Sequence, residues 1–153
     1  MNIVAVSYTH LDVYKRQALI SEVVQKAQPE IVFVPHFGDM QKDHALVSEA
    51  VMVAVRPKGS SIVRKVYAYE TLSETEWNIP HVSNAFLPNT FVEITTQLQK
   101  KLSAMECYQS QLSPFPNPRS LEAVEALAKL RGSNMGGNAA EAFTLIREYD
   151  LEP

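Results

Sequence analysis

The sequence predicts an α/β fold, a mostly parallel sheet flanked by helices. Three observations carry that prediction. Leu19, Ile20, Val23, Val24 and Ala27 recur at helical spacing and share one face, and Pro29 stops that helix. Ile31-Val32-Phe33-Val34 is a continuous apolar run ending at Pro35, the pattern of a strand covered on both faces in a parallel sheet. A polar loop over 36–42 then leads into a helix that starts near Asp43, turns Leu46, Val47, Ala50, Val51 and Ala54 inward, and ends at Arg56-Pro57.

The remaining elements follow in order. Residues 62–69 alternate as a second strand. Ser73-Glu74-Thr75-Glu76 has the form of a capping box. Pro88-Asn89 marks a turn before a strand over 90–94, and Thr95 or Thr96 caps a helix with Leu98, Leu102, Met105 and Tyr108 on one face. Three prolines make 113–118 a loop. Ser120 caps a helix running to Arg131, with Gly132 as its C-terminal cap. A last helix is expected over 139–149. Residues 1–17 read differently: 1–6 suits the start of a strand, whereas 7–17 fits neither period and resembles translated adapter sequence. The expectation is a foreign segment at 1–17, set apart from the fold, followed by one domain over 18–153.

Composition narrows the function classes. The chain has 153 residues, 46% hydrophobic and 20% charged, which suits one globular domain. Acidic residues outnumber basic ones by 17 to 14, a net charge of -3, so there is no basic excess to hold a phosphate backbone and nucleic acid is not an expected partner. The 5 glycines are too scattered for a phosphate-cradling loop. The single cysteine, Cys107, excludes an internal disulfide and a cysteine-rich zinc knuckle. The longest apolar runs, at 31–35 and 50–55, fall far short of the roughly 20 residues a membrane span needs. No signal-peptide pattern opens the chain, and a cytoplasmic protein is expected.

The strongest chemical feature is Pro35-His36-Phe37-Gly38-Asp39-Met40-Gln41-Lys42-Asp43-His44. It lies where a buried strand meets a helix, the edge at which open α/β sheets bind ligands. Its imidazoles and carboxylates are ligands that zinc accepts at a site open to water. The same residues also suit an ordinary polar loop in which Asp43 caps a helix and the histidines are solvated. Spacing alone leaves both open.

Several further blocks occur in one order. They are Tyr69-Glu70-Thr71 through Thr75-Glu76-Trp77, Pro88-Asn89-Thr90-Phe91-Val92-Glu93-Ile94, Cys107-Tyr108-Gln109-Ser110-Gln111, Pro118-Arg119-Ser120-Leu121-Glu122, Arg131-Gly132-Ser133 and Ala140-Glu141-Ala142-Phe143. Together with 34–44 and 47–57, they make the chain from Ala18 to Leu151 resemble the PIG-L/LmbE-type N-deacetylases. The resemblance implies a Rossmann-like fold and a zinc-dependent hydrolase that removes acetyl from an N-acetylated sugar, typically an N-acetylglucosaminyl group. The implied partner is a small-molecule or lipid-linked N-acetylated sugar.

The resemblance places one metal ligand on His44 and gives Asp43 the role of orienting the loop or the ligand. The family's other ligands, a His and an Asp, come from a His-Pro-Asp-Asp-Glu block that this sequence lacks; His10-Leu11-Asp12-Val13 echoes it only superficially. Gln41 stands where the family carries a His assigned to proton donation or oxyanion stabilisation. An amide can donate a hydrogen bond to an oxyanion but cannot transfer a proton near neutral pH.

Substrate contacts are expected from His36, Asp39, Glu70 and Arg119. His36 and Asp39 are also candidates for the missing acid, Glu70 alternatively faces solvent, and Arg119 alternatively makes a surface salt bridge. Asn117 stands where relatives carry His, His81 reads as solvated, and Trp77 reads as packing or as a sugar platform. With two of the three zinc ligands absent, the chain is expected to be the C-terminal part of the enzyme, binding zinc weakly without turnover. The alternatives are a sugar-binding or interaction module without the metal, and an unrelated flavodoxin-like domain.

Overall fold

The computed structural model describes residues 13–57 and 63–150. The strand start expected at 1–6, and His10 and Asp12, lie outside the described residues. Two compact units divide the chain: the described residues up to Phe86 together with those from Leu145, and Leu87–Thr144.

The first unit opens on helix α1, Val13–Ala27, so residues 13–17, set apart in the sequence reading, are helical. Strand β1, Ile31–Pro35, helix α2, Lys42–Ala54, and strand β2, Lys65–Tyr69, complete a β-α-β unit. β1 and β2 are parallel, with Ile31 opposite Lys65 and Pro35 opposite Tyr69. The core is Val34, Val51, Val55, Val63, Val66 and Ala68, with Ile20, Val24, Val32, Val47 and Met52 packed against it. Val34 is 0% exposed; full burial of a valine contributes about 1.5 kcal/mol or more.

Two expectations narrow here. α1 commits only Ile20 and Val24 to that core, while Leu19 and Val23 stay exposed. β1 is buried at its carboxyl end, at Val34 and Pro35, but Ile31 at its start is exposed.

The second unit holds strand β3, Thr90–Glu93, helix α3, Leu98–Glu106, helix α4, Leu121–Ser133, and the start of strand β4, Ala140–Glu148. β4 replaces the helix expected over 139–149. Ala140 and Ala142 are buried in alternation, and β3 pairs antiparallel with this stretch, Thr90 opposite Phe143 and Glu93 opposite Ala140. Alanine, glutamate and leucine favour helix locally, but the pairing and Phe143, Thr144 and Ile146 favour the strand. Residues 145–148 of β4 belong to the first unit. There the Tyr149 amide donates to the Arg64 carbonyl at 2.8 Å.

The strand order is β1-β2-β4-β3. The α/β expectation holds, and the sheet is mixed, with one parallel pair (β1–β2) and one antiparallel pair (β3–β4).

Ser120 caps α4 as expected: it is 1% exposed and its Oγ accepts from the Ala123 amide at 3.1 Å. α4 continues through Gly132, whose role is space rather than a cap. A Cβ there would lie 2.6 Å from the Ala139 nitrogen. Tyr108 does not join the face of α3; it is 64% exposed. Thr95 and Thr96 open a 3₁₀ turn, Thr95–Gln97, and neither side chain caps α3. The capping-box residues 73–76 lie in successive turns rather than a helix, although the Ser73 amide does donate to the Glu76 carboxylate. Among the described residues no helix is long and apolar enough to cross a membrane.

Two substitutions test α4. Ser120→Ala removes a buried cap and is expected to cost about 1 kcal/mol. Gly132→Ala is expected to cost more than Ser120→Ala, although alanine is intrinsically the better helix former by about 1 kcal/mol, because backbone occupies the space. Urea unfolding of both variants measures the order; a stabilising Gly132→Ala would contradict the packing.

Candidate functional site

The site is built where β1 ends. The His36 amide donates to the Tyr69 carbonyl at 3.0 Å, extending the β1–β2 pairing by one residue. The chain then turns, and the Asp39 amide donates back to the His36 carbonyl at 3.2 Å. α2 starts at Lys42, with Gln41 as its exposed N-cap residue. The Gln41 side chain makes no capping bond, and its carbonyl accepts from the His44 amide at 3.0 Å. Asp43 is half-buried in the first turn, where a carboxylate complements the helix dipole.

Asp39 is the centre of the arrangement. Its side chain is 0% exposed, against 23% for His44. His44 Nδ1 donates to Asp39 Oδ2 at 2.7 Å. The Thr75 hydroxyl donates to Asp39 Oδ1 at 2.6 Å. The carboxylate that orients His44 is therefore Asp39; the resemblance gave Asp43 the role of orienting the loop or the ligand.

The hydrogen bond that His44 donates to Asp39 raises the pKa of His44 above its ordinary 6.5. Partial burial opposes the shift, and the charges of Asp39, Glu74 and Asp43 support it. Burial raises the Tyr69 phenol, helped by the nearby Asp39 charge. Glu74 is a buried carboxylate, 5% exposed, and its backbone carbonyl accepts from the Met40 amide at 3.0 Å.

His36 is 4% exposed and faces inward. Its Nε2 donates to the Asn84 carbonyl at 3.0 Å, and its ring meets Phe37 and Phe86 edge-on. It fastens the 78–86 loop to the end of β1, where the sequence reading gave it to the substrate or to proton donation. Asn78 Nδ2 adds a bond to the Gly38 carbonyl at 2.6 Å. Gly38 is required by close approach: a Cβ there would lie 2.5 Å from His36 Nε2 and 2.7 Å from the Asn84 carbonyl oxygen. A carbonyl only accepts, so His36 carries its proton on Nε2, and the carboxylate contact assigns the proton of His44 to Nδ1.

The other expected residues are placed as follows. Glu70 follows β2 directly and is half-buried. Arg119 belongs to the second unit, where its Nη1 donates to Gln111 Oε1 at 2.9 Å and its amide donates to Asn117 Oδ1 at 2.9 Å. His81 is exposed and its Nδ1 accepts from the Ser83 amide. Trp77 is 54% exposed, so it is not a packed core residue. A shallow groove of about 450 Å³ is lined by Thr75, Asn78, Pro80, His81, Asn84 and Phe86, and Trp77 is not among its lining residues.

The sequence reading missed Thr75, Glu74 and Asn84 as site residues. Their partners lie 34 to 48 residues away, so no local spacing signals them.

His44 fits the role of a metal ligand. Its Nδ1 is held by a carboxylate, which leaves Nε2 as the nitrogen able to bind a metal. Among the described residues, however, no group of three His, Cys, Asp or Glu side chains could hold a metal ion. These residues supply one ligand and its orienting carboxylate, and do not by themselves form a zinc site.

No family model matches the chain. Its fold is shared with solved structures. The conserved protein TT1542 from Thermus thermophilus matches with a TM-score of 0.70 and 23% identity over 93% of this chain. The 4-carboxy-2-hydroxymuconate hydratase GalB from Pseudomonas putida matches with a TM-score of 0.65 and 23% identity over 95% of this chain. The N,N'-diacetylchitobiose deacetylase from Pyrococcus horikoshii matches with a TM-score of 0.62 and 20% identity over 88% of this chain. The chain spans 63%, 64% and 52% of these proteins' lengths, respectively. At these identities the likeness establishes the fold, a Rossmann-like α/β architecture.

Two expectations follow from the geometry. The folded pKa of His44 is raised, so its contribution to stability is fully present below the unfolded value of 6.5 and is lost as pH rises through the folded value. Asp39→Asn is therefore expected to destabilise most in mild acid and less in alkali, measured by urea unfolding across pH; a pH-independent loss would contradict the pairing. Gly38→Ala is expected to cost about 1–3 kcal/mol through overpacking, read as a lowered Tm. An unchanged Tm would mean that the 78–86 loop is not fastened at Gly38.

Proposed function

We propose that this chain is part of a zinc-dependent hydrolase that removes acetyl from an N-acetylated sugar or glycoconjugate. The observation that carries the reading is the Asp39–His44 pair at the carboxyl edge of the parallel strands, in a fold shared with a sugar deacetylase. Asp39 holds the ring, and His44 offers Nε2 as a ligand. The exposed Gln41 beside them has an amide able to donate a hydrogen bond to an oxyanion. When bound, zinc would polarise the acetamide carbonyl and acidify a water molecule. The reading also needs two further ligands and a carboxylate base. In the family that the sequence resembles, these come from the His-Pro-Asp-Asp-Glu block; the described residues do not supply them.

A second reading is a sugar-binding or interaction module without a metal. It is favoured by Gln41, which cannot transfer a proton, and by the lack of a three-ligand group among the described residues.

The test uses two proteins, the chain as it stands and the intact natural gene product. For the chain as it stands, we expect weak zinc binding, removed by His44→Ala, and no acetate release. For the intact product, we expect one zinc per chain and acetate release from an N-acetylglucosaminyl substrate. His44→Ala in that product should lower zinc affinity by at least about 100-fold. An intact product that binds neither zinc nor releases acetate refutes the enzyme, and sugar binding by such a product supports the module.

A further inference from the structure

Thr75 occupies an unusual position in the hydrogen-bond pattern. Its Oγ1 lies 2.8 Å from the Thr71 amide nitrogen and 2.6 Å from Asp39 Oδ1. A backbone amide can only donate, so Thr75 Oγ1 accepts from Thr71. The hydroxyl proton is then left to point at the carboxylate. Asp39 thus accepts on Oδ1 from Thr75 and on Oδ2 from His44 Nδ1, which must be a donor. The direction of every bond in the chain, from Thr71 through Thr75 and Asp39 to His44, is set by a group with no alternative.

Local structure makes Thr75 rigid enough for this. The Thr75 amide donates to the Thr71 carbonyl at 2.9 Å, closing a turn in which 71 and 75 hold each other by both main chain and side chain. A β-branched side chain has restricted χ1 freedom. Asp39 has no exposed side-chain surface, so water is not at hand to replace the hydroxyl.

We infer that Thr75 is a positioning residue that acts through Asp39 to keep the proton of His44 on Nδ1 and the lone pair on Nε2. The assignment concerns the metal-free chain; only its use in zinc binding rests on the proposed deacetylase reading. Without the hydroxyl, Asp39 Oδ1 loses its donor, the carboxylate is free to turn, and the imidazole loses the anchor that selects one tautomer.

The test is the ¹⁵N spectrum of the His44 ring in the metal-free chain at an alkaline pH where the imidazole is neutral. We expect the Nδ1–H form to dominate in the wild type and in Thr75→Ser, which keeps the hydroxyl. In Thr75→Val, which keeps the shape and loses the hydroxyl, we expect a mixture of tautomers. A folded Thr75→Val that keeps the wild-type tautomer overturns the inference. So does a wild type, or a folded Thr75→Ser, with its proton mainly on Nε2, which keeps the test decisive even if Thr75→Val does not fold. Cobalt(II) titration of the same chains adds a second readout, with about tenfold weaker binding expected for Thr75→Val alone; equal affinity in all three chains counts against the inference. The ring spectrum needs neither zinc nor substrate, so its failure and the failure of the deacetylase reading are separate results.

Discussion

A carboxylate removed entirely from water must have its oxygens satisfied, and in this chain that carboxylate is Asp39. Much of the site's architecture answers that demand. The imidazole of His44 satisfies one oxygen from the first turn of α2. The hydroxyl of Thr75 satisfies the other from the turn that follows β2. For those two groups to converge, the end of β1 and the start of the 71–78 segment must pack closely. Three contacts accomplish it: Met40 to Glu74, Asn78 to Gly38, and His36 to Asn84. A side chain at Gly38 would collide with the last of these contacts, at His36 Nε2 and the Asn84 carbonyl oxygen.

The part of this arrangement that is local in sequence was legible from it. An apolar run ending in proline, a polar loop and a helical period place His36, Asp39, Gln41, Asp43 and His44 at a strand-to-helix junction, and the structure places them there. The part contributed by 71–84 was not legible. Thr75 in sequence is a polar residue inside an apparent capping box, and its bond to Asp39 spans 36 positions. The choice between Asp39 and Asp43 as the partner of His44 likewise depends on the path of the loop, which no spacing rule supplies. β4 failed for a different reason: its alanines, glutamates and leucine fit a helix, and only a neighbouring strand decides the matter.

The solved structures with this fold include a hydratase and a deacetylase. One architecture therefore carries different chemistries, and the functional reading has to come from side chains rather than from topology. The two loop histidines illustrate the point. Identical side chains eight positions apart carry their protons on opposite nitrogens, Nε2 in His36 and Nδ1 in His44, because one faces a carbonyl and the other a carboxylate. One becomes a fastening and the other keeps a basic nitrogen available for chemistry.

The bond from the His36 amide to the Tyr69 carbonyl ties the site to the end of the sheet. It is the last rung of the β1–β2 ladder, and the residues that complete the site follow directly on both strands. Asp39 draws one partner from the helix that follows β1 and the other from the turn that follows β2, so its full set of hydrogen bonds needs both strand ends in place. Conversely, fraying of that terminal rung separates the two segments that share the buried carboxylate. Amide exchange at His36 is then expected to rise together with loss of the oriented imidazole of a histidine eight residues away.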